Sequence, residues 1–149
     1  DIEKIKLAGQ VHDIGKIGIK ESILNKPDRL TKDEFELIKK HPDLGERILT
    51  PIMEDKDILL MVRHHHERHD GFGYPDGMSG EGIPTGARIL AVSDTFDAMT
   101  SERPYRKAMS DEAACAEIEK NRGSQFAPDV VDAFLRTRKR IYAGKEGKQ

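Results

Sequence analysis

Apolar residues recur along this chain at intervals of three and four, and several of these stripes run into a histidine or an aspartate. Residues 1 to about 14 place Ile5, Ala8 and His12 at helical spacing, with Gly15 as a stop. After a loop carrying Asn25, Lys26 and Pro27, the run from Thr31 to Glu34 reads as a capping box. Phe35 and Ile38 then carry an inner face toward His41, and Pro42 ends that helix or begins the next. From about Asp55, Ile58 is followed by Val62, His65 and His66 at offsets of four, seven and eight, one face of a helix. Pro84 suits the first turn of a helix whose Ala87, Leu90, Ala91 and Asp94 share a face. Ser110 caps a helix running to Gly123, and Pro128 opens a last one through Val131, Phe134, Leu135 and Ile141. No stretch alternates as a strand does, so the pattern predicts an all-α fold without internal repeats, with a disordered tail over 144–149.

Composition narrows the picture. At 149 residues, with 36% hydrophobic and 35% charged, the chain suits one domain with a solvated surface. No apolar run approaches a membrane span and nothing at the start resembles a signal peptide, which predicts a cytoplasmic setting without membrane contact. A net charge of −2 argues against a general DNA binder, and Arg136, Arg138, Lys139 and Arg140 read as a solvated helix end. The single Cys115 allows no intrachain disulfide or thiolate metal site, and among Ala113, Ala114 and Ile118 it reads as core. The chain begins at Asp1 in what reads as mid-helix, the expectation for a piece of a longer protein.

Chemistry enters with four segments that each end an apolar face on His or Asp: His12-Asp13, His41, His65-His66 and Asp94. A lone histidine of this kind is more often a satisfied core residue, but coincidence across four segments points to a metal site. Neighbouring helix residues point roughly 100° apart, so His65 and His66 are expected to serve two adjacent ions rather than one. A carboxylate can bridge such a pair, which gives His12 and Asp13 different tasks. Imidazole and carboxylate without sulfur suit iron, manganese or zinc. Two such ions generate a hydroxide at neutral pH and clamp the oxygens of an in-line displacement at phosphorus, which points to phosphoester hydrolysis. Lys16, Arg103 and Arg106 are placed to hold phosphate oxygens. The glycine-rich stretch from about His69 to Pro84 joins the segments carrying His65, His66 and Asp94, and a loop of that length usually has a function.

The ordered set His12-Asp13-Ile14-Gly15-Lys16, His41-Pro42, His65-His66-Glu67-Arg68-His69-Asp70-Gly71-Phe72-Gly73-Tyr74-Pro75, Asp94 to Thr100, and Arg103-Pro104-Tyr105-Arg106 resembles the HD-GYP domain. The resemblance spans nearly the whole chain. It implies a helical bundle of the HD superfamily over residues 1–143, with a long glycine-rich loop, that hydrolyses cyclic di-GMP to pGpG and in some members to GMP. It further implies two or three divalent ions, iron foremost and manganese next, held by His12, Asp13, His41, His65, His66 and Asp94, with Asp13 bridging. Asp13 and Lys16 would be catalytic, and Lys16, Tyr74, Arg103 and Arg106 would bind substrate. His64 and His69 receive no ligand role and are expected to face solvent. The loop at Tyr74 is also expected to be a surface for diguanylate cyclase (GGDEF) domains, and a regulatory domain is expected elsewhere in the full protein. Family members carry a further metal-ligating histidine on a helix upstream of the His-Asp pair, which this chain starts too late to contain. A cyclic di-GMP-binding or cyclase-docking module without turnover is the alternative, and a mononucleotide hydrolase would leave residues 70–75 unexplained.

Overall fold

The computed structural model describes residues 2–102 and 107–146, with side chains through 141, and every regular element in that range is helical. Helix α1 spans Ile2–Val11, α2 Glu21–Leu24, α3 Lys32–Ile38, α4 His41–Leu49 and α5 Lys56–His64. After the glycine-rich loop come α6 Thr85–Thr100, α7 Asp111–Lys120 and α8 Pro128–Glu146. A 3-10 helix, Ile14–Gly18, follows α1, and a shorter one, Gly80–Gly82, lies inside the loop. The capping box at Thr31 forms as its sequence predicts, with the Glu34 N–H donating to the Thr31 hydroxyl and the Thr31 N–H to the Glu34 carboxylate. Ser110 caps α7 through the Ala113 N–H.

Two apolar clusters organise the chain. Ala8, Leu49, Ile58, Leu59, Met61, Val62 and Leu90 join α1, α4, α5 and α6. Val92, Met99, Ala114, Ile118, Phe126, Ala127, Val130 and Val131 join α6, α7 and α8. Helix α6 contributes to both, so it is the spine between them. Gly15 lets the 3-10 helix lie directly on α4, because a Cβ there would stand 1.9 Å from the His41 carbonyl oxygen and 2.5 Å from the Gly45 nitrogen. That contact brings the segment after α1 against the start of α4.

Several expectations change in three dimensions. His41 opens α4 instead of closing α3, and Pro42 sits in the first turn of α4, where a missing N–H costs nothing. Helix α3 buries none of its residues, and Phe35, far from an inner face, is 45% exposed. Helix α8 runs on past Gly144 to Glu146. Arg138 is no solvated end: it pairs with Asp111 and lies 4.5 Å from the centre of the Phe96 ring, fastening α8 to α6 and α7. Cys115, on α7, is only partly buried, not core.

Candidate metal centre

The metal-capable side chains meet above the first cluster, and most of them stand just outside helices. Val11 ends α1, so His12 and Asp13 lie in the turn that leads into the 3-10 helix. His64 ends α5; His65 caps it and His66 lies one residue beyond. This explains why His65 and His66 converge, with ring centroids 4.1 Å apart, where the helical interval predicts divergence. Asp94 is held within a helix, α6, and His41 is the first residue of α4.

Main-chain carbonyls fix the rings. Nδ1 of His12, His41 and His65 lies 2.8, 2.8 and 2.7 Å from the carbonyl oxygens of Gly9, Ile38 and Val62, each three residues back. A carbonyl only accepts, so each Nδ1 carries the proton and each Nε2 presents a lone pair when the ring is neutral. The three Nε2 atoms face inward. His41 Nε2 and His65 Nε2 are 3.4 Å apart with neither proton between them, and His12 Nε2 is buried without a hydrogen-bond partner. Lone pairs so aimed are what a cation satisfies. Ligand atoms of His41, His65 and His66 lie within 4.8 Å of one another, as do those of His12, Asp13 and His65. His65 belongs to both sets. Asp13 touches both as well, its Oδ1 3.4 Å from His41 Nε2 and its Oδ2 3.6 Å from His12 Nε2. Asp94 Oδ1 faces His12 Nε2 at 3.6 Å. The donor set is nitrogen and oxygen, and it fits a divalent transition ion.

Electrostatics keep these nitrogens available. Burial pushes the His65 and His66 rings down to about 2 and about 3, and lowers His41 in the same way. His12 differs: the facing Asp94 carboxylate raises it, and His12 in turn holds Asp94 down at about 2. Lys16 Nζ lies 2.5 Å from Asp13 Oδ2, so its charge sits on the rim of the centre.

The glycine-rich loop is built against this centre. The Tyr74 ring lies 4.9 Å and 30° from that of His66, and Phe35 meets Tyr74 edge-on at 6.4 Å. Lys39 stands 5.8 Å from both the Phe35 and Tyr74 rings. Burial raises the Tyr74 hydroxyl pKa, with Asp13 and Asp94 adding to the rise. Phe35, Lys39, His66, Arg68, Phe72 and Tyr74 line a cavity of about 340 Å³ beside the metal-capable cluster. Phe35 and Lys39 were not foreseen as part of the site, since nothing in α3 shows that its exposed face turns toward a loop almost 40 residues later. His64 is also corrected: it is 5% exposed, between the Leu60 carbonyl and the Asp76 carboxylate, not facing solvent. His69 is half-buried, with its Nδ1 wholly covered. Arg103 and Arg106 lie outside the described residues.

Among the described residues no helix is long and apolar enough to cross a membrane. Comparison with known proteins gives a consistent result. The chain is 45% identical over 144 residues to the cyclic di-GMP phosphodiesterase response regulator RpfG of Xanthomonas campestris, covering 95% of this chain and 38% of that one. It is 46% identical over 144 residues to a cyclic di-GMP phosphodiesterase of Thermotoga maritima, covering 94% and 39%. A 3'3'-cGAMP-specific phosphodiesterase 2 of Vibrio cholerae is 36% identical over 140 residues, covering 91% and 26%. The chain thus spans well under half the length of these relatives. A crystal structure of a cyclic GMP-AMP-specific phosphodiesterase of Vibrio cholerae, 18% identical, superposes with a TM-score of 0.69 over 91% of this chain and 38% of that one, a likeness of fold. With the family model described as HD domain matching residues 1–130, the chain belongs to the HD domain family.

Proposed function

We propose that this chain is the hydrolytic part of a metal-dependent phosphodiesterase that opens cyclic di-GMP to pGpG, with GMP as the product of a second cleavage. The observation that supports this best is the convergence of His12, Asp13, His41, His65 and His66 beside a cavity lined by Phe35, Phe72 and Tyr74. In this reading those five residues and Asp94 would hold two or three divalent ions, iron first and manganese next, with Asp13 as the carboxylate that would be shared between ions. Such ions, when bound, neutralise phosphoryl oxygens and acidify water. Lys16 holds a non-bridging phosphate oxygen, and Arg103 and Arg106 are assigned the same task from the sequence. Tyr74 forms the wall against which a base rests, and its burial keeps the phenol a neutral hydrogen-bond donor. Phe72, 85% exposed on the same loop, is where we place contact with a diguanylate cyclase domain. The substrate implies a cytoplasmic protein, with a regulatory domain in the longer chain that its relatives' length suggests.

Cyclic GMP-AMP is the competing substrate, favoured by the 36% identical relative named for it. The test is turnover of each dinucleotide by protein purified anaerobically and loaded with ferrous iron or manganese, with products separated by chromatography. Asp13→Ala should lose at least 100-fold in rate while its helical circular dichroism is kept. Hydrolysis retained in that variant would remove the bridging role. No turnover of either dinucleotide by the loaded wild type would leave a binding module.

A further inference from the structure

We infer that Glu67 is a positioning residue, whose buried carboxylate holds the glycine-rich loop in the closure that lays Tyr74 against His66. Its kinetic readout rests on the phosphodiesterase reading above; its structural readout does not.

Glu67 is 3% exposed, and both its oxygens accept from main chain: Oε1 from the Asp76 N–H at 2.7 Å and Oε2 from the Met78 N–H at 3.0 Å. One carboxylate therefore bridges two amides of a segment about ten residues later. The chain between is drawn in at two further points. Gly73 crosses the Glu67 backbone so closely that a Cβ would stand 2.5 Å from Glu67 Cα and 2.3 Å from the Arg68 nitrogen. Tyr74 N–H donates to the His66 carbonyl at 3.2 Å. The result is a closed ring of chain in which the Tyr74 and His66 side chains have one relative placement.

From α5, Arg63 and His64 also hold this segment, but only through the Asp76 side chain. Glu67 alone among these grips main chain, so it sets the path of the backbone that carries Tyr74. Burying a carboxylate costs free energy unless its oxygens are fully hydrogen-bonded, and here two amide donors meet them. A glutamine of the same shape meets one donor only, because its amide nitrogen would face the other N–H. Both variants used below keep residue 66 untouched, so metal loading and loop placement are read separately.

The experiment compares wild type, Glu67→Gln and Glu67→Asp, loaded with manganese, by bound metal per chain, steady-state kinetics on cyclic di-GMP and amide exchange at residues 74–78. Glu67→Gln should raise KM about tenfold while kcat changes by less than about threefold and manganese content holds. Its Asp76 and Met78 amides should exchange at least about tenfold faster. Glu67→Asp, which keeps two acceptors on a shorter stem, should recover part of both effects. A Glu67→Gln protein with a lower Tm but wild-type KM, or with wild-type exchange at Asp76 and Met78, overturns the inference, since a residue that only stabilises the fold would behave that way. If Glu67→Gln yields no folded protein, Glu67→Asp carries the same two readouts. If wild type turns over no cyclic di-GMP, the phosphodiesterase reading fails, and exchange at Asp76 and Met78 still decides this one.

Discussion

His65 belongs to both three-residue donor sets, whereas His66 belongs to one. Replacing His65 with Ala should therefore weaken manganese or iron binding throughout the centre, by more than the 10 to 100-fold that outer hydrogen-bond partners are worth, while His66→Ala should spare the set formed by His12, Asp13 and His65. Metal titration with per-chain stoichiometry checks the difference; equal losses in the two variants would contradict it. Asp76 makes a second residue-scale prediction. Arg63, with His64, holds its carboxyl down at about 2, against about 3.9 in an unfolded chain. A depressed folded pKa stabilises the fold fully above the unfolded value, and the contribution is lost as pH falls through the folded one. The stability gap between wild type and Asp76→Asn, from urea unfolding, should hold at pH 5 and above and shrink between about pH 4 and pH 2. The side chain is partly exposed, so solvent screening keeps the gap small.

At the scale of elements, the junctions carry the site. His12 and Asp13 follow α1, His41 opens α4, and His65 and His66 follow α5. Gly15 is the contact that brings the first of these junctions to the second. Gly15→Ala would drive a Cβ into the His41 carbonyl and the Gly45 nitrogen, both backbone atoms that cannot swing away. It should cost about 3 kcal/mol or more of stability and weaken metal binding, because His41 must move. Thermal unfolding and metal titration of the same preparation test this, and a variant with wild-type values for both would show that the junction relaxes freely. Helix existence was readable from apolar spacing and from caps at Thr31 and Ser110, and the structure adds a cap at Asp55. The exact ends were not, and they mattered. With His66 taken as helical, its ring was expected to diverge from that of His65; the helix stops at His64, and the turn beyond it brings the two together.

For the whole molecule, the donor residues gather from the end of α1, the start of α4 and the end of α5, with Asp94 of α6 facing His12. A ligand that binds only the folded state adds stability by mass action, about 2.7 kcal/mol at a hundred times its dissociation constant. Chelation should therefore lower the Tm of metal-loaded protein by roughly 5 to 10 °C, and restoring manganese should reverse it. A Tm indifferent to chelator would argue that these side chains hold no ion. Periodicity and capping are local, so the helical class, most of the helices and the His and Asp residues of the two donor sets are legible from residue order without coordinates. Four facts arise from long-range packing instead: His65 is shared, Phe35 and Lys39 from an exposed helix face Tyr74, His64 is buried against Asp76, and Glu67 holds the loop through two backbone amides. Those facts depend on where chain segments far apart in sequence meet and on which ring nitrogen each carbonyl claims, and neither quantity is written in the spacing of residues.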